Sequence, residues 1–144
     1  MCNNILEILL NNGENNPDGI AFIDEECTYT WRNVVQNVQS IATALLSLGI
    51  CKPNANNPVP ILMKKSASQI CAFWAVAYTG NFYVPIDEKM PGERITLILD
   101  TLDANQIICD EKNTIKAEEV SDCAFHIVQL MQYEADINLI EMYY

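Results

Sequence analysis

The stretch "TGNFYVPIDEKMPGERI", residues 79–95, carries the clearest structural signals in this 144-residue sequence. Gly80 can end a helix, the aromatic and β-branched residues after it favour a strand, and Pro91 suits the first position of a new helix. The stretch has no histidine, cysteine or serine, and so no obvious nucleophile or metal ligand. It therefore predicts framework: a helix end, a strand and a turn into a second helix.

Strand and helix patterns alternate on both sides of this stretch. Short apolar runs predict strands at "VPILM" (59–63), "FYVPI" (82–86), "QIIC" (106–109) and "FHIVQL" (125–130). Helical patterns separate the first three, and the earlier helix opens with "SASQ", which fits a capping box. The later helix has its apolar stripe at Ile95, Ile98, Leu99 and Leu102. Because apolar strands separated by helices are typical of parallel sheets, the predicted fold class is α/β with a Rossmann-like βαβαβ unit.

The region before residue 58 predicts a different unit. Two β-forming runs, "IAFID" (20–24) and "CTYT" (27–30), flank an acidic pair and predict a small β-hairpin. Thr30 is in position to cap the following helix, which should end near Gly49. The predicted buried stripe of that helix has apolar residues at helical spacing, namely Val34, Val38, Ile41, Ala42 and Leu45.

Composition limits the classes of partner. Half of the residues are hydrophobic, so the chain can form a packed core as one domain or as part of a larger one. Eight basic residues stand against 19 acidic residues, a net charge of −11 that repels phosphate backbones and anionic lipid. No apolar run reaches the length of a transmembrane helix. We therefore expect no nucleic-acid or membrane partner.

The six cysteines predict a reducing compartment. None of them lies in a CxxC pair, and Cys71 and Cys109 lie inside apolar runs. An even count is compatible with disulfides, but the N-terminal residues do not form a signal peptide. We therefore expect reduced, buried thiols and a cytoplasmic location.

Two segments resemble core motifs of the adenylate-forming enzymes, the AMP-dependent synthetases and ligases. "CTYTWRNVVQNVQSIATALLSLGI" (27–50) resembles their first motif, L-T-Y-x-E-L followed by a long helix, although Asn33 stands where the glutamate is usual. "AYTGNFYVPIDEKMPGERI" (77–95) resembles their second, K-A-G-x-A-Y-V-P-L-D followed by P-x-x-R-I. The "YVPID" form is similar to the amino-acid-activating branch, which contains nonribosomal peptide synthetase adenylation domains and D-alanine–carrier-protein ligases. We expect that Asn33 cannot complete the capping box as a glutamate would and that this helix start is therefore weaker.

The resemblance implies that residues 1–144 are a partial N-terminal domain of such an enzyme. In the family, ATP with Mg activates an amino acid, and the acyl group then passes to a carrier-protein thiol. The family's phosphate loop is rich in Gly, Ser and Thr and ends in lysine, but the five glycines here are too widely spaced to form it, at positions 13, 19, 49, 80 and 92. We therefore expect no catalytic, cofactor-binding or metal residue and no activity from this chain alone; ATP, Mg and a carrier protein belong to the full-length enzyme.

Several charged residues are candidates for catalysis or anion binding, but the sequence favours a structural role for them. Asp87, Glu88 and Glu93 are better explained as turn and helix-start residues than as acid/base groups. We expect Asp87 and Arg94 to hold the turn by hydrogen bonds or an ion pair. The lysines at positions 64 and 65 lie between a strand and a helix start, where anions can bind, but a solvated pair is the favoured interpretation.

We also predict a structural role for the remaining candidate residues. His126, the single histidine, is predicted to lie on a strand. Phe73 and Trp74 are expected in the core of an apolar helix, and Cys109 is expected in the core rather than as a nucleophile.

Two other functions remain open. The chain can be a non-catalytic interaction or dimerisation module that associates through an exposed sheet edge or apolar face. It can also be a generic nucleotide-binding α/β domain, although it lacks a glycine fingerprint.

Overall fold

The computed structural model describes residues 5–141, and residues 1–4 and 142–144 lie outside the described part. The helices are α1 (Ile5–Asn15), α2 (Trp31–Ser47), α3 (Ala67–Tyr78), α4 (Gly92–Leu102), α5 (Thr114–Val120), α6 (Ile127–Met131) and α7 (Ile137–Glu141), with a 3-10 turn at Glu111–Asn113. The strands are β1 (Ile20–Ile23), β2 (Thr28–Thr30), β3 (Pro58–Leu62), β4 (Phe82–Pro85), β5 (Gln106–Cys109) and β6 (Cys123–His126).

The strands form two sheets, as the sequence predicts. β1 and β2 pair antiparallel as the expected hairpin, with an irregularity between Ile20 and Phe22. The other four strands form a parallel sheet in the order β4-β3-β5-β6. The predicted α/β class is therefore confirmed.

The parallel sheet is buried on both faces. Alternate residues of β3 point to opposite sides, so that Ile61 joins a core with α1, α2 and α3, whereas Leu62 joins a core with α4 and α5. All five residues of the predicted α2 stripe are fully buried in the first core. In α4, Ile95 and Leu99 are buried, and Ile98 and Leu102 are half-buried.

The start of α2 corrects one expectation. The side-chain oxygen of Asn33 accepts a 3.0 Å hydrogen bond from the backbone N–H of Thr30, whose hydroxyl accepts a 3.2 Å bond from the Asn33 N–H. Both halves of a capping box are therefore present, and the prediction that Asn33 would leave it incomplete is wrong. Thr30 has the extended backbone that is usual for an N-cap, with φ −78° and ψ 165°.

The two following helices begin slightly differently from prediction. Ser66 caps α3 by accepting a 3.1 Å bond from the Gln69 N–H, but the Gln69 side chain donates to the Met63 carbonyl instead of closing the box. Pro91 is the N-cap of α4 rather than its first residue. Gly80, at φ +77°, lies in the left-handed region just after α3, as expected of a helix stop.

The last third of the chain departs most from prediction. The polar stretch after β5 contains α5, which the sequence pattern missed because Ala117 is the one apolar residue there that is fully buried. The predicted strand at 125–130 is wrong for its last four residues, 127–130. β6 starts at Cys123, and Ile127 and Leu130 are buried together in the helix α6 because they are spaced three residues apart.

The five described cysteines are free thiols. Cys51, Cys71 and Cys109 are buried as expected, Cys27 is half-buried, and Cys123 is exposed, which departs from the expectation of buried thiols. Cys2 lies outside the described residues. Between residues 5 and 141, no helix is long and apolar enough to cross a bilayer.

Candidate functional site

A cleft of about 850 Å³ opens at the carboxyl ends of β3 and β4. The hairpin turn Asp24–Glu26 forms one wall, residues 85–89 form the other, and Phe73 lies between them. Four of the eight basic residues line it, Lys64, Lys65, Lys89 and Lys112. Because ligands of α/β sheets bind at the carboxyl ends of strands, this cleft is the candidate site.

Asp24 fills the helix N-terminus that faces the cleft. One carboxylate oxygen accepts bonds of 2.8 Å from the N–H groups of Glu26 and Cys27, and the other accepts a 2.8 Å bond from the N–H of Ala67, the first residue of α3. The bond from Ala67, and then those from Glu26 and Cys27, lower the pKa of Asp24 from 3.8 to about 2. The place where an α/β fold would hold a phosphate is therefore occupied by a carboxylate of the chain itself.

Asp110 fills the second place where a ligand would bind. β3 and β5 are neighbours in the sheet, but the helices that follow them, α3 and α5, pack on opposite faces of it. The crevice between the carboxyl ends of β3 and β5 is therefore the topological switch point of the sheet. The carboxylate of Asp110, which is 7% exposed, accepts a 2.8 Å bond from the Lys64 N–H. It also accepts bonds of 3.1 and 2.7 Å from the backbone and side-chain nitrogens of Asn113. The crevice is closed by hydrogen bonds between its two loops.

The two candidate lysines differ from each other. The Lys64 ammonium forms an ion pair with Glu26, and that hydrogen-bonded carboxylate raises the pKa of Lys64 above its usual value. Lys65 is exposed and forms no ion pair with the described residues. The predicted solvated pair is therefore correct for Lys65 and wrong for Lys64, whose role is to join the hairpin to the loop after β3.

The turn after β4 is held by the 3-10 turn Glu111–Asn113 and by α5 rather than by its own Arg94. Glu88 accepts a 3.0 Å bond from the Asn113 side chain and pairs with Lys112 at 3.2 Å, and these contacts lower its pKa. Lys116 donates to the carbonyl oxygens of Glu88, at 2.6 Å, and Met90, at 3.1 Å.

The expected contribution of Asp87 and Arg94 is confirmed only in part. The Asp87 carboxylate accepts a 2.9 Å bond from the Lys89 N–H, so it does shape the turn. Arg94 is exposed and has no ion pair with any residue from 5 to 141.

The aromatic residues of α3 divide between core and cleft. Trp74 is buried against Phe22, with ring centroids 5.7 Å apart, as predicted. Phe73 is half-buried and packs against the first core, but it also stacks on Tyr83 at 4.3 Å and lines the cleft, so its assignment to the core is correct only in part.

Neither of the remaining candidates forms a reactive group. Cys109 is 1% exposed and burial raises its pKa, which is the expected behaviour of a core thiol. His126 ends β6 and is half-buried, so its predicted strand position is confirmed.

The residues at this edge do not fit a nucleotide triphosphate or its metal ion. The backbone donors that would hold phosphate are taken by Asp24 and Asp110. Within the described part of the chain, no three His, Cys, Asp or Glu side chains are grouped to hold a metal ion. Every buried side-chain nitrogen and oxygen there has a hydrogen-bond partner, so none is directed into the cleft to await a ligand.

Known proteins share this sequence and this fold. Residues 9–141 match the family described as AMP-binding enzyme. N-(5-amino-5-carboxypentanoyl)-L-cysteinyl-D-valine synthase of Penicillium rubens is 35% identical over 104 residues, 72% of this chain and 3% of that protein. Surfactin synthase subunit 1 of Bacillus subtilis is 32% identical over 95 residues, 66% of this chain and 3% of that protein. O-succinylbenzoate coenzyme A synthetase (MenE) of Bacillus subtilis, solved with ATP and magnesium ion, superimposes with a TM-score of 0.74 at 19% identity, over 90% of this chain and 34% of that one.

The chain thus spans about 3% of the length of the curated relatives. The solved structure supports the fold, and the sequence match covers both of the motifs that resemble the adenylate-forming enzymes. On these grounds, the chain belongs to the AMP-binding enzyme family.

Proposed function

We propose that this chain forms the opening part of the N-terminal domain of an amino-acid-activating adenylation enzyme. The parent reaction joins an amino acid to ATP to give an aminoacyl adenylate and pyrophosphate, and the acyl group is then transferred to a carrier-protein thiol. The observation that carries this proposal is the family match over residues 9–141, because it coincides with relatives that are named N-(5-amino-5-carboxypentanoyl)-L-cysteinyl-D-valine synthase and surfactin synthase subunit 1. Those names favour the peptide synthetase branch over D-alanine ligases.

In this proposal the chain supplies framework and no reacting group. Asp24 and Asp110 occupy the two backbone sites at the carboxyl edge that would otherwise attract phosphate, and both are engaged by N–H donors. The loop of the second motif is fixed at Glu88, which accepts hydrogen bonds from Asn113 of the 3-10 turn and from Lys116 of α5. The chain alone is therefore expected to be inactive, and ATP and Mg are requirements of the parent enzyme. The free thiols of the described residues support a cytoplasmic location.

Amino-acid-dependent pyrophosphate exchange tests the proposal. The isolated chain should give no exchange with any of the twenty common amino acids, whereas a complete adenylation domain of a relative, assayed in parallel, should exchange. Calorimetric titration with ATP and Mg should give no heat of binding. Exchange by the isolated chain, or micromolar ATP binding, would contradict the framework role and favour the generic nucleotide-binding alternative.

A second candidate function is association through the edge strand β4. Among the strands of residues 5–141, β4 pairs with β3 alone, and Phe82 and Tyr83 on β4 are 41% and 40% exposed. The backbone N–H groups of Phe82 and Ile86 point toward β3. The backbone nitrogens of Tyr83 and Pro85, which alternate with them along the strand, therefore face the open edge. Pro85 has no N–H, which limits strand addition to a short segment.

Sedimentation at several concentrations tests this association. If the edge drives it, a dimer should appear as concentration rises, and Tyr83→Lys should remove it. Leu48→Lys, which changes another exposed apolar residue, is the matched control and should leave the dimer intact. A chain that stays monomeric at all concentrations would exclude the edge as a dimer interface.

A further inference from the structure

Two of the free thiols lie where the hairpin and α3 face each other. Cys27 comes directly before β2 and is two residues from Tyr29, so both side chains point to the same side of the extended chain. On α3, Ser68 and Cys71 are three residues apart and share one side of the helix. The Tyr29 hydroxyl lies 3.2 Å from the Ser68 hydroxyl, so the side of the hairpin that carries Cys27 faces the side of α3 that carries Cys71.

A second set of contacts brings the Cys27 sulfur to the start of α3. That sulfur lies 3.6 Å from Oδ2 of Asp24, and the same oxygen accepts the 2.8 Å bond from the Ala67 N–H. Cys71 lies about one helical turn after Ala67, and side chains of a helix lean toward its N-terminus. The Cys71 side chain therefore leans toward the turn of α3 that the hairpin contacts.

The two thiols are also close enough to interact electrostatically. Burial, and then the charge that Cys27 carries when it is ionised, raise the pKa of Cys71 to about 12. The Tyr29 hydroxyl, whose pKa is raised chiefly by burial, interacts with both thiols. Cys27 is half-buried and Cys71 is fully buried, so the pair has one member within reach of solvent and one inside the first core.

We propose that Cys27 and Cys71 form a disulfide under hydrogen peroxide, which joins the hairpin wall of the cleft covalently to α3. The thiolate of Cys27, the more accessible of the two, attacks the peroxide and becomes a sulfenic acid, and hydroxide leaves and takes up the proton that the thiol released. The Cys71 thiol then attacks the Cys27 sulfur, so that the S–O bond breaks, the S–S bond forms and water leaves. Two thiols and one peroxide thus give one disulfide and two waters.

The surroundings of Cys27 and Cys71 determine how readily this bond forms. The thiolate is the reactive form, and burial raises the pKa of both thiols, so little of either is ionised near neutral pH. The carboxylates of Asp24 and Glu26 further oppose the ionisation of Cys27. The pair therefore stays reduced in a thiol-buffered compartment and closes only under sustained exposure to peroxide.

Peroxide treatment of the full chain, dilute enough to suppress links between molecules, tests the pair. The remaining thiols are then blocked with N-ethylmaleimide, and tryptic peptides are analysed by tandem mass spectrometry. The main product should be a cross-link between the peptides that contain Cys27 and Cys71, about 2 Da lighter than their sum, and dithiothreitol should reverse it. A main cross-link between other cysteines, or sulfinic acid at Cys27 without a cross-link, would overturn the proposal.

Single cysteine variants assign the cross-link to its two residues. Cys27→Ser and Cys71→Ala should each abolish it, and thermal unfolding of the reduced proteins should first confirm that both variants fold. Cys123→Ser, at the exposed cysteine, is the matched control and should leave the yield unchanged. Cys2→Ser should also leave it unchanged, which matters because Cys2 and Cys27 share a tryptic peptide. Loss of the cross-link in either control would refute the assignment.

The melting temperature gives an independent readout. A disulfide stabilises a fold mainly by restricting the unfolded chain, and Cys27 and Cys71 would enclose a long loop. Oxidised wild type should therefore melt about 5 °C or more above the reduced protein, whereas peroxide should not raise the melting temperature of Cys27→Ser. A cross-linked chain that melts below the reduced one would show that the bond forms only by distorting the fold, and the proposal would fail.

Discussion

The carboxylate of Asp24, in the turn of the hairpin, accepts a 2.8 Å hydrogen bond from the backbone N–H of Ala67 at the start of α3. The bond joins the antiparallel hairpin to the parallel sheet and places a negative charge at a helix N-terminus, where it is stabilised. The Glu26–Lys64 ion pair and the 3.2 Å contact between the Tyr29 hydroxyl and the Ser68 hydroxyl lie beside it. These contacts make the hairpin a fixed wall of the cleft.

Asp24→Asn should destabilise the chain near neutral pH by about 1–3 kcal/mol, because an amide cannot replace a carboxylate that accepts three N–H bonds. The pKa of Asp24 is about 2 in the folded chain against an ordinary 3.8, so its contribution is fully present above pH 3.8 and is lost as pH falls toward 2. Urea unfolding of both proteins between pH 6 and pH 2.5 should show the difference shrinking over that window.

The control for this variant is Glu25→Gln, an exposed residue of the same turn. It should change stability by less than about 0.5 kcal/mol. A wild-type advantage over Asp24→Asn that stays constant down to pH 2.5 would show that the Asp24 charge is not what holds the hairpin.

The capping box at α2 makes a second prediction. Asn33→Ala removes the acceptor of the Thr30 N–H, and Thr30→Ala removes the acceptor of the Asn33 N–H. Each should lower the free energy of unfolding by about 1 kcal/mol. The double variant should lose less than the sum, since both act on one reciprocal pair. Gln36→Ala, at an exposed position of the same helix, is the control for urea unfolding; strictly additive losses would mean that the two bonds act separately.

The alternation of strands and helices around residues 79–95 was predictable because burial on both faces of a parallel sheet leaves long apolar runs. The end of the last strand was not predictable, because "FHIVQL" has strand-forming residues whose spacing also suits a helix. The packing of Ile127 and Leu130 in the core decides in favour of the helix. Asp24 and Asp110 were missed for another reason. Their partners, Ala67 and Lys64, lie 43 and 46 residues away along the chain, so no local pattern marks them.

Gly80 and Gly49 give a matched pair for a third prediction. Both have positive φ, +77° and +68°, but a Cβ at Gly80 would lie 2.7 Å from the Cα of Asn54, whereas a Cβ at Gly49 would meet no described residue within 4 Å. Gly49→Ala should therefore lose only the left-handed strain, about 1 kcal/mol. Gly80→Ala adds a clash with backbone and should lose about 2 kcal/mol or more. Thermal unfolding measures both, and equal losses would show that the loop at Asn54 moves aside without penalty.

Asp110 makes the fourth prediction, because it closes the crevice between β3 and β5. Asp110→Ala leaves the N–H of Lys64 without its acceptor in a partly buried setting, and it removes the carboxylate that the backbone and side-chain nitrogens of the buried Asn113 share, although the Asn113 N–H keeps the Asp110 carbonyl. It should lower the free energy of unfolding by about 2 kcal/mol. Asp110→Asn keeps one acceptor oxygen and should lose an intermediate amount. Asp122→Ala, at an exposed position, should stay within about 0.5 kcal/mol of wild type in urea unfolding. If Asp110→Ala matched that control, the two loops would not depend on this carboxylate, and the crevice would have to be treated as open to a ligand.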